Sequence, residues 1–234
     1  MVRISVITPT MRDGGLELCA QGLKAQTFKD FEWIIVSEMA PLHRQFGFDA
    51  IILDAPRKKR FSNLNASLNE GLKRAKGELI VMLQDFIKPN PDGLQKFWDF
   101  YQDNQMSLIT GPVGKTTDFR DTTWEWRASG ELRRLDSYAE WEADWAAAPR
   151  DMFLELGGYD ELYDNGWSWD NVNLAFRASR LGYDFWNDPT NKALAYDHDA
   201  KMEHPYRKNP NKEFHTKKVE RILAGLDPIK VNYL

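Results

Sequence analysis

The sequence predicts an α/β fold: a mostly parallel, twisted sheet with helices on both faces. Three observations carry that expectation. Short apolar runs of strand length recur through the first half, segments with the apolar spacing of amphipathic helices separate them, and 234 residues suit one large domain. Continuous apolar strands alternating with helices belong to a parallel sheet covered on both faces.

The elements follow in order. Ile4 to Thr8 is a β-branched run stopped by Pro9, and Leu16 to Ala25 can form a helix. Phe31 to Val36 and Ala50 to Leu53 are the next apolar runs. Ser62 or Asn63 can cap a helix through Leu64, Leu68, Leu72 and Ala75, which Gly77 ends. Leu79 to Leu83 makes a fourth strand. After Pro89 and Pro91, Asp92 can cap a helix through Leu94, Phe97 and Tyr101, and Ser107 to Thr110 reads as a fifth strand. From Val113 to Asp144 the periodicity fades, as in a functional loop or lid. Pro149 can open a helix through Met152, Phe153 and Leu156 that Gly157-Gly158 stops. Leu174, Ala178 and Leu181 repeat at helical spacing behind Asp170, and Gly182 ends that helix. Ala193 to Tyr196 reads as a strand that delivers Asp197-His198-Asp199.

Composition narrows the class. Hydrophobic residues at 42% and charged ones at 28% exclude a disordered chain. No apolar run approaches the roughly 20 residues of a membrane-spanning helix. The start, Met1-Val2-Arg3-Ile4-Ser5-Val6-Ile7, lacks a signal-peptide layout. Cys19 is the single cysteine, so no internal disulfide forms; a reducing, cytoplasmic setting is expected, with Cys19 a small core residue. The net charge of -4 excludes a wholly basic nucleic-acid surface. Arg57-Lys58-Lys59-Arg60 and the tail from Lys201 to Arg221 are locally basic, and each can meet phosphate or be a solvated run. Nine Trp residues can stack on sugar or base rings or fill the core. There is no internal repeat, CxxC, P-loop or G-x-G-x-x-G.

Ligands of parallel α/β sheets bind outside the carboxyl ends of the strands. Those ends read Thr8-Pro9-Thr10, Ser37-Glu38, Asp54 and Gln84-Asp85, all polar and several acidic. Converging carboxylates need a cation or donor groups between them, which a nucleotide with Mg2+ or Mn2+ supplies. Strand-to-helix loops are also polar without any ligand. On the other half, Gly157 to Trp186 sets Asp170 at a helix start between aromatic residues. That carboxylate fits a sugar-handling acid/base site, or an N-terminal charge complementing the helix dipole.

Several segments together resemble the GT-A glycosyltransferases of family 2. They are Ser5-Val6-Ile7-Thr8-Pro9-Thr10, Gln26-Thr27-Phe28-Lys29-Asp30-Phe31-Glu32-Trp33-Ile34-Ile35-Val36, and Asn69-Glu70-Gly71 through Ala75-Lys76-Gly77-Glu78-Leu79-Ile80. Gly157-Gly158-Tyr159-Asp160-Glu161 and Gly166-Trp167-Ser168-Trp169-Asp170-Asn171 resemble the corresponding segments of galactosyltransferase-like members. The resemblance runs in order from about Ile4 to Glu203. It implies a GT-A (Rossmann-like) fold, with residues 1–112 as the nucleotide-sugar-binding half. Residues 113–234 would form the acceptor-binding and catalytic half with a basic C-terminal tail.

The same resemblance implies a nucleotide-diphosphate sugar donor, UDP-linked, a divalent metal (Mn2+ or Mg2+), and inversion. Thr8, Pro9, Thr10, Glu38, Asp54, Gln84 and Asp85 would meet the donor. Asp85 and His198 would hold the metal, with His204 the rival to His198. Asp170 would be the base, and Trp167, Trp169 and Asn171 would meet the acceptor. Departures stand beside these matches. Val36-Ser37-Glu38 replaces the family's Val-Asp-Asp, Leu83-Gln84-Asp85-Phe86 keeps one carboxylate of its metal motif, and Asp170-Asn171 replaces Glu-Asp. A degenerate, non-catalytic binder of nucleotide sugar or glycan is the alternative. For an active enzyme the acceptor is a glycan, a protein or a modified nucleic-acid base.

Overall fold

A computed structural model describes residues 2–11, 14–39, 46–56, 61–117, 121–196 and 210–234. The first part of the chain gives β1 (Ile4–Thr10), α1 (Leu16–Lys24), β2 (Phe31–Ser37), β3 (Ile51–Asp54), α2 (Leu64–Arg74), β4 (Leu79–Leu83), β5 (Ile87–Pro89), α3 (Gly93–Asp103) and β6 (Ser107–Thr110). The second part gives β7 (Val113–Thr116), β8 (Thr123–Trp124), β9 (Arg133–Arg134), β10 (Trp145–Pro149), α4 (Arg150–Leu156), α5 (Asp170–Arg180), β11 (Asp184–Asn187), β12 (Ala193–Tyr196) and α6 (Pro210–Leu223).

The main sheet runs β3-β2-β1-β4-β10-β6-β11-β9. Its first four strands are parallel, with β1 hydrogen-bonded to β2 and β4, and β2 to β3. β10 then lies antiparallel between β4 and β6, β11 runs parallel to β6, and β9 closes the edge antiparallel to β11. Among the described residues four of its seven strand pairings are parallel, so the sheet is mostly parallel as expected, with antiparallel pairing brought in by β10 and β9. Its α/β architecture, with helices on both faces, is consistent with the GT-A-like Rossmann fold. A smaller sheet, β5-β12-β7-β8, sits beside it and gathers part of the stretch that reads as irregular from Val113.

Alternation along the strands divides the core. Ile7, Ile34, Ile80 and Met82 turn to one face with Leu68 and Leu72 of α2 and Leu174 and Ala178 of α5. Val6, Ile35, Leu79 and Val81 turn to the other, with Leu16 and Leu23 of α1 and Leu94 and Phe97 of α3. This is the two-sided burial that continuous apolar strands demand. Cys19 is buried there as expected.

Two helix starts depart from expectation. Asn63 makes no side-chain cap to α2; Asp164 does so instead, accepting from the backbone N–H groups of Asn65 (2.9 Å) and Ala66 (3.1 Å) and from the Ser62 hydroxyl (3.3 Å). Asp92 makes no side-chain cap to α3; the Leu94 N–H donates to Gln26 Oε1 at 2.8 Å. All three backbone donors are satisfied by residues distant in sequence.

Candidate active site

A cleft opens at the carboxyl ends of β1, β2 and β4. Pro9 and Thr10 follow β1 to its end, Glu38 follows β2, and Gln84-Asp85 follow β4. Phe61, Asn65 and the Gly166–Asp170 turn form the opposite wall. Its cavity volume is about 160 Å3. Six of the residues the sequence singles out thus meet in one place: Pro9, Thr10, Glu38, Gln84, Asp85 and Asp170, with Trp167 as a seventh.

Thr10 donates its hydroxyl to Asp85 Oδ2 at 3.0 Å, which ties the end of β1 to the end of β4. Glu38 accepts from Asn63 Nδ2 at 3.2 Å. The Trp167 ring stands 5.7 Å from that of Phe61, tilted 45°, so an aromatic pair lines one wall.

Other expected residues fall elsewhere. Thr8 points into the core, where its hydroxyl accepts from Trp33 Nε1 at 2.9 Å. Asp54 is exposed at the end of β3, outside the cleft lining. Trp169 packs on His215 of α6, ring centroids 5.1 Å apart. Asn171 does not line the cleft itself but a small adjoining cavity, which shares Pro9, Leu64 and Gln84 with it. His198, His204 and Arg57–Arg60 lie outside the described residues.

Asp170 is the chemical centre. It is buried, lines the cleft, and its Oδ2 has no hydrogen-bond partner among the described residues. Burial pushes its carboxyl up to about 6, assisted by the charges of Asp164 and Asp144; the backbone N–H groups of Asp170 and Asn171 at the start of α5 oppose the rise. Glu142 and Asp144 sit nearby. Glu142 is an exposed residue, yet partial loss of hydration at its carboxyl and the charge of Asp144 push that group up to about 7, with Arg127 opposing. Asp144 is raised by burial, again against Arg127.

The backbone that presents Asp170 is strained. Ser168 and Trp169 are consecutive non-glycine residues at φ 62° and 72°, and Phe86, next to Asp85, has φ 63°. Left-handed side-chain-bearing residues cost about 1–3 kcal/mol each and persist only where surroundings hold them. Asn211 of α6 is the holder: its Nδ2 donates to the carbonyls of Tyr163 (2.8 Å) and Ser168 (3.0 Å). Its amide packs so closely on Gly166 that a Cβ there would lie 2.6 Å from Oδ1. His215 Nδ1 meets the Tyr163 hydroxyl at 3.0 Å, and Lys218 is paired with Asp160.

The Gly157-Gly158 turn is fixed from two further directions. Arg177 is fully buried and donates to the carbonyls of Leu156 (3.1 Å) and Gly158 (2.9 Å). Asn69 pairs with the backbone of Tyr159. Along α6, Lys217 pairs with Glu213 and Arg221 with Asp227, so three of its basic residues (Lys217, Lys218 and Arg221) are engaged by carboxylates.

Sequence reasoning did not single out Phe61, Asn65, Tyr163, Glu142 or Asp144. Asn65 reads as one more polar residue on a helix, and nothing local points Glu142 or Asp144 toward Asp170. Among the described residues no group of three or more His, Cys, Asp or Glu is arranged to hold a metal ion. Asp85 stands there as the single described candidate ligand. No helix among the described residues is long and apolar enough to cross a membrane.

Comparison with known proteins finds distant relatives. No family model matches the chain. The chain is 24% identical over 156 residues to the glucosyl-dolichyl phosphate glucuronosyltransferase of Haloferax volcanii, covering 60% of this chain and 49% of that one. It is also 24% identical over 179 residues to the probable N-acetylgalactosaminyltransferase 9 of Caenorhabditis elegans, covering 65% of this chain and 30% of that one. The matched regions thus span about half of one relative and less than a third of the other. Both relatives are named as sugar transferases, and the similarity supports a glycosyltransferase family for this chain.

Proposed function

We propose that the protein transfers a sugar from a UDP-linked donor to an acceptor hydroxyl, with inversion, and that Asp170 is the base. The observation that carries this reading is Asp170 itself. A buried carboxyl held near 6, one oxygen of which has no hydrogen-bond partner among the described residues, lines the same cleft as Pro9, Thr10, Glu38, Gln84 and Asp85. A general base works best with a pKa near the operating pH. As the acceptor oxygen attacks the anomeric carbon, its proton passes to Asp170. The bond from that carbon to the diphosphate oxygen breaks on the opposite face, and the diphosphate leaves with the electron pair.

In this reading residues 1–112 supply the donor side and residues 113–234 the acceptor side. Asp85 would hold Mn2+ or Mg2+ as a hard oxygen ligand, and when bound the ion would supply positive charge to stabilise the leaving diphosphate. A glycan hydroxyl is the favoured acceptor, since the name of the Haloferax relative describes transfer onto a lipid-borne glucose. The ion pairing along α6 leaves little free positive charge there for a nucleic-acid acceptor. The single cysteine supports a reducing, cytoplasmic setting.

The test is a thermal-shift panel of UDP-sugars with and without Mn2+, followed by consumption of the stabilising donor. Stabilisation and consumption that Asp170→Asn removes would support the reading. Consumption untouched by that substitution would overturn Asp170 as base. A second reading, a non-catalytic nucleotide-sugar binder, is favoured by Gln84 standing where a second carboxylate is expected. It predicts stabilisation without consumption.

A further inference from the structure

The cleft holds a second orphaned acceptor besides Asp170 Oδ2. Asn65, in the first turn of α2, is 2% exposed and lines the same cleft. Its Nδ2 donates to Asp164 Oδ1 at 2.8 Å, and its backbone N–H donates to the same oxygen at 2.9 Å. Those bonds fix the amide orientation, because the flipped amide would set its oxygen against a carboxylate oxygen. Oδ1 therefore points away from Asp164, and there it has no partner among the described residues. A buried acceptor left unpaired costs about 1–3 kcal/mol, and native structures leave few of them.

Two orphaned acceptors, the Asn65 amide oxygen on α2 and the ionised Asp170 carboxylate on α5, thus lie on one cleft. A ligand that satisfies them must bring donors. Phosphate brings none, and the positive end of α2, which otherwise suits an anion, is already taken by Asp164. Hydroxyl groups do bring donors. The tilted Phe61 and Trp167 rings offer an apolar surface to the face of a sugar ring.

We infer that Asn65 is a hydroxyl-reading residue whose Oδ1 accepts a hydrogen bond from a ring hydroxyl of the bound nucleotide sugar. This deepens the sugar-transfer reading and rests on it. The shared chemistry is a ring hydroxyl, carried either by the ribose or by the transferred hexose, and the test separates the two.

Isothermal titration of the full chain and of Asn65→Ala with UDP-glucose, UDP and 2′-deoxy-UDP decides the matter. Asn65→Ala is expected to weaken UDP-glucose binding about 3- to 10-fold, the worth of one neutral hydrogen bond. If the ribose hydroxyl is read, UDP weakens by the same factor, and the preference for UDP over 2′-deoxy-UDP disappears in the variant. If the hexose hydroxyl is read, UDP binding is unchanged. UDP-glucose affinity within about twofold of wild type overturns the inference and leaves the sugar-transfer reading standing. A wild-type chain that binds neither UDP nor UDP-glucose overturns both. Should Asn65→Ala not fold, the wild-type chain decides with UDP, 2′-deoxy-UDP and deoxyglucose analogues of UDP-glucose. Undiminished affinity for every deoxy ligand overturns the inference.

Discussion

Asp164 caps the helix on which Asn65 lies from 99 residues further along the chain, accepting both the backbone N–H and the side-chain amide of Asn65 on one oxygen, at 2.9 and 2.8 Å. Its other oxygen takes the Ala66 N–H at 3.1 Å. One carboxylate therefore joins the turn that presents Asp170 to the wall that carries Asn65. Its desolvation cost, visible in a raised pKa, is offset by these donors.

Asp164→Ala removes that carboxylate and leaves buried donors unpaired. It is expected to destabilise the fold by about 2–3 kcal/mol, the worth of a lost cap with buried hydrogen bonds. Urea denaturation checks this as a lower midpoint at unchanged slope. An unchanged midpoint would show that Ser62 or water takes over the cap.

Asp170→Asn should separate activity from stability. Loss of the base is expected to lower turnover by about 10²- to 10⁴-fold. The substitution also removes a buried charge whose carboxyl is raised from its ordinary value to about 6. At neutral pH the variant should therefore be more stable than wild type, by up to roughly 3 kcal/mol. Calorimetry at pH 7 beside the donor-consumption assay tests both halves.

The same raised carboxyl fixes the pH dependence. The native state holds the Asp170 proton more tightly than the unfolded chain does. Between the ordinary carboxyl value and about 6, wild-type stability should fall with rising pH and then level off. Activity should run the other way, with kcat/KM rising through an acid limb near pH 6 as the base ionises. Stability curves of wild type and Asp170→Asn that share the same slope below pH 6 would falsify the assignment of that titration to Asp170.

Gly158→Ala tests the turn behind the site. Gly158 has φ 91°, and a Cβ there would lie 2.5 Å from Asn69 Oδ1. That oxygen accepts the Tyr159 N–H at 2.8 Å, so the clash falls on the bond joining α2 to the turn. A loss of about 2 kcal/mol or more is expected, from the left-handed backbone and the displaced amide together. Thermal melting measures it.

Asp85→Asn addresses the metal. UDP with Mn2+ is expected to raise the melting temperature of the wild-type chain more than UDP alone, and the variant should lose that increment while keeping the rise from UDP. An increment that survives in Asp85→Asn would place the ion on other ligands.

Much of the framework is legible in the chain itself. Apolar runs such as Leu79 to Leu83 have one stable fate, burial between two layers, and the spacing of Leu64, Leu68 and Leu72 sets which side of α2 faces the sheet. The carboxyl-end positions Pro9, Thr10, Glu38, Gln84 and Asp85 follow from that pattern, because a parallel strand delivers its last residues to one edge. Thr8 shows the limit. It lies two residues from Thr10, yet the intervening core geometry turns its hydroxyl to Trp33.

Only the tertiary structure decided the rest. Local spacing names Ser62, Asn63 and Asp92 as caps, while Asp164 and Gln26 do the capping, since any acceptor brought near serves an orphan N–H as well as a neighbour in sequence. The pKa of Asp170, the pressure of Asp164 and Asp144 on it, and the oxygen of Asn65 left without a partner among the described residues all arise from burial and from groups brought together by the fold. Sequence determined that an acidic group would stand at the start of α5. Packing took that group out of water and set it beside the strand ends, because desolvation and Coulomb interaction depend on distance in space and not along the chain.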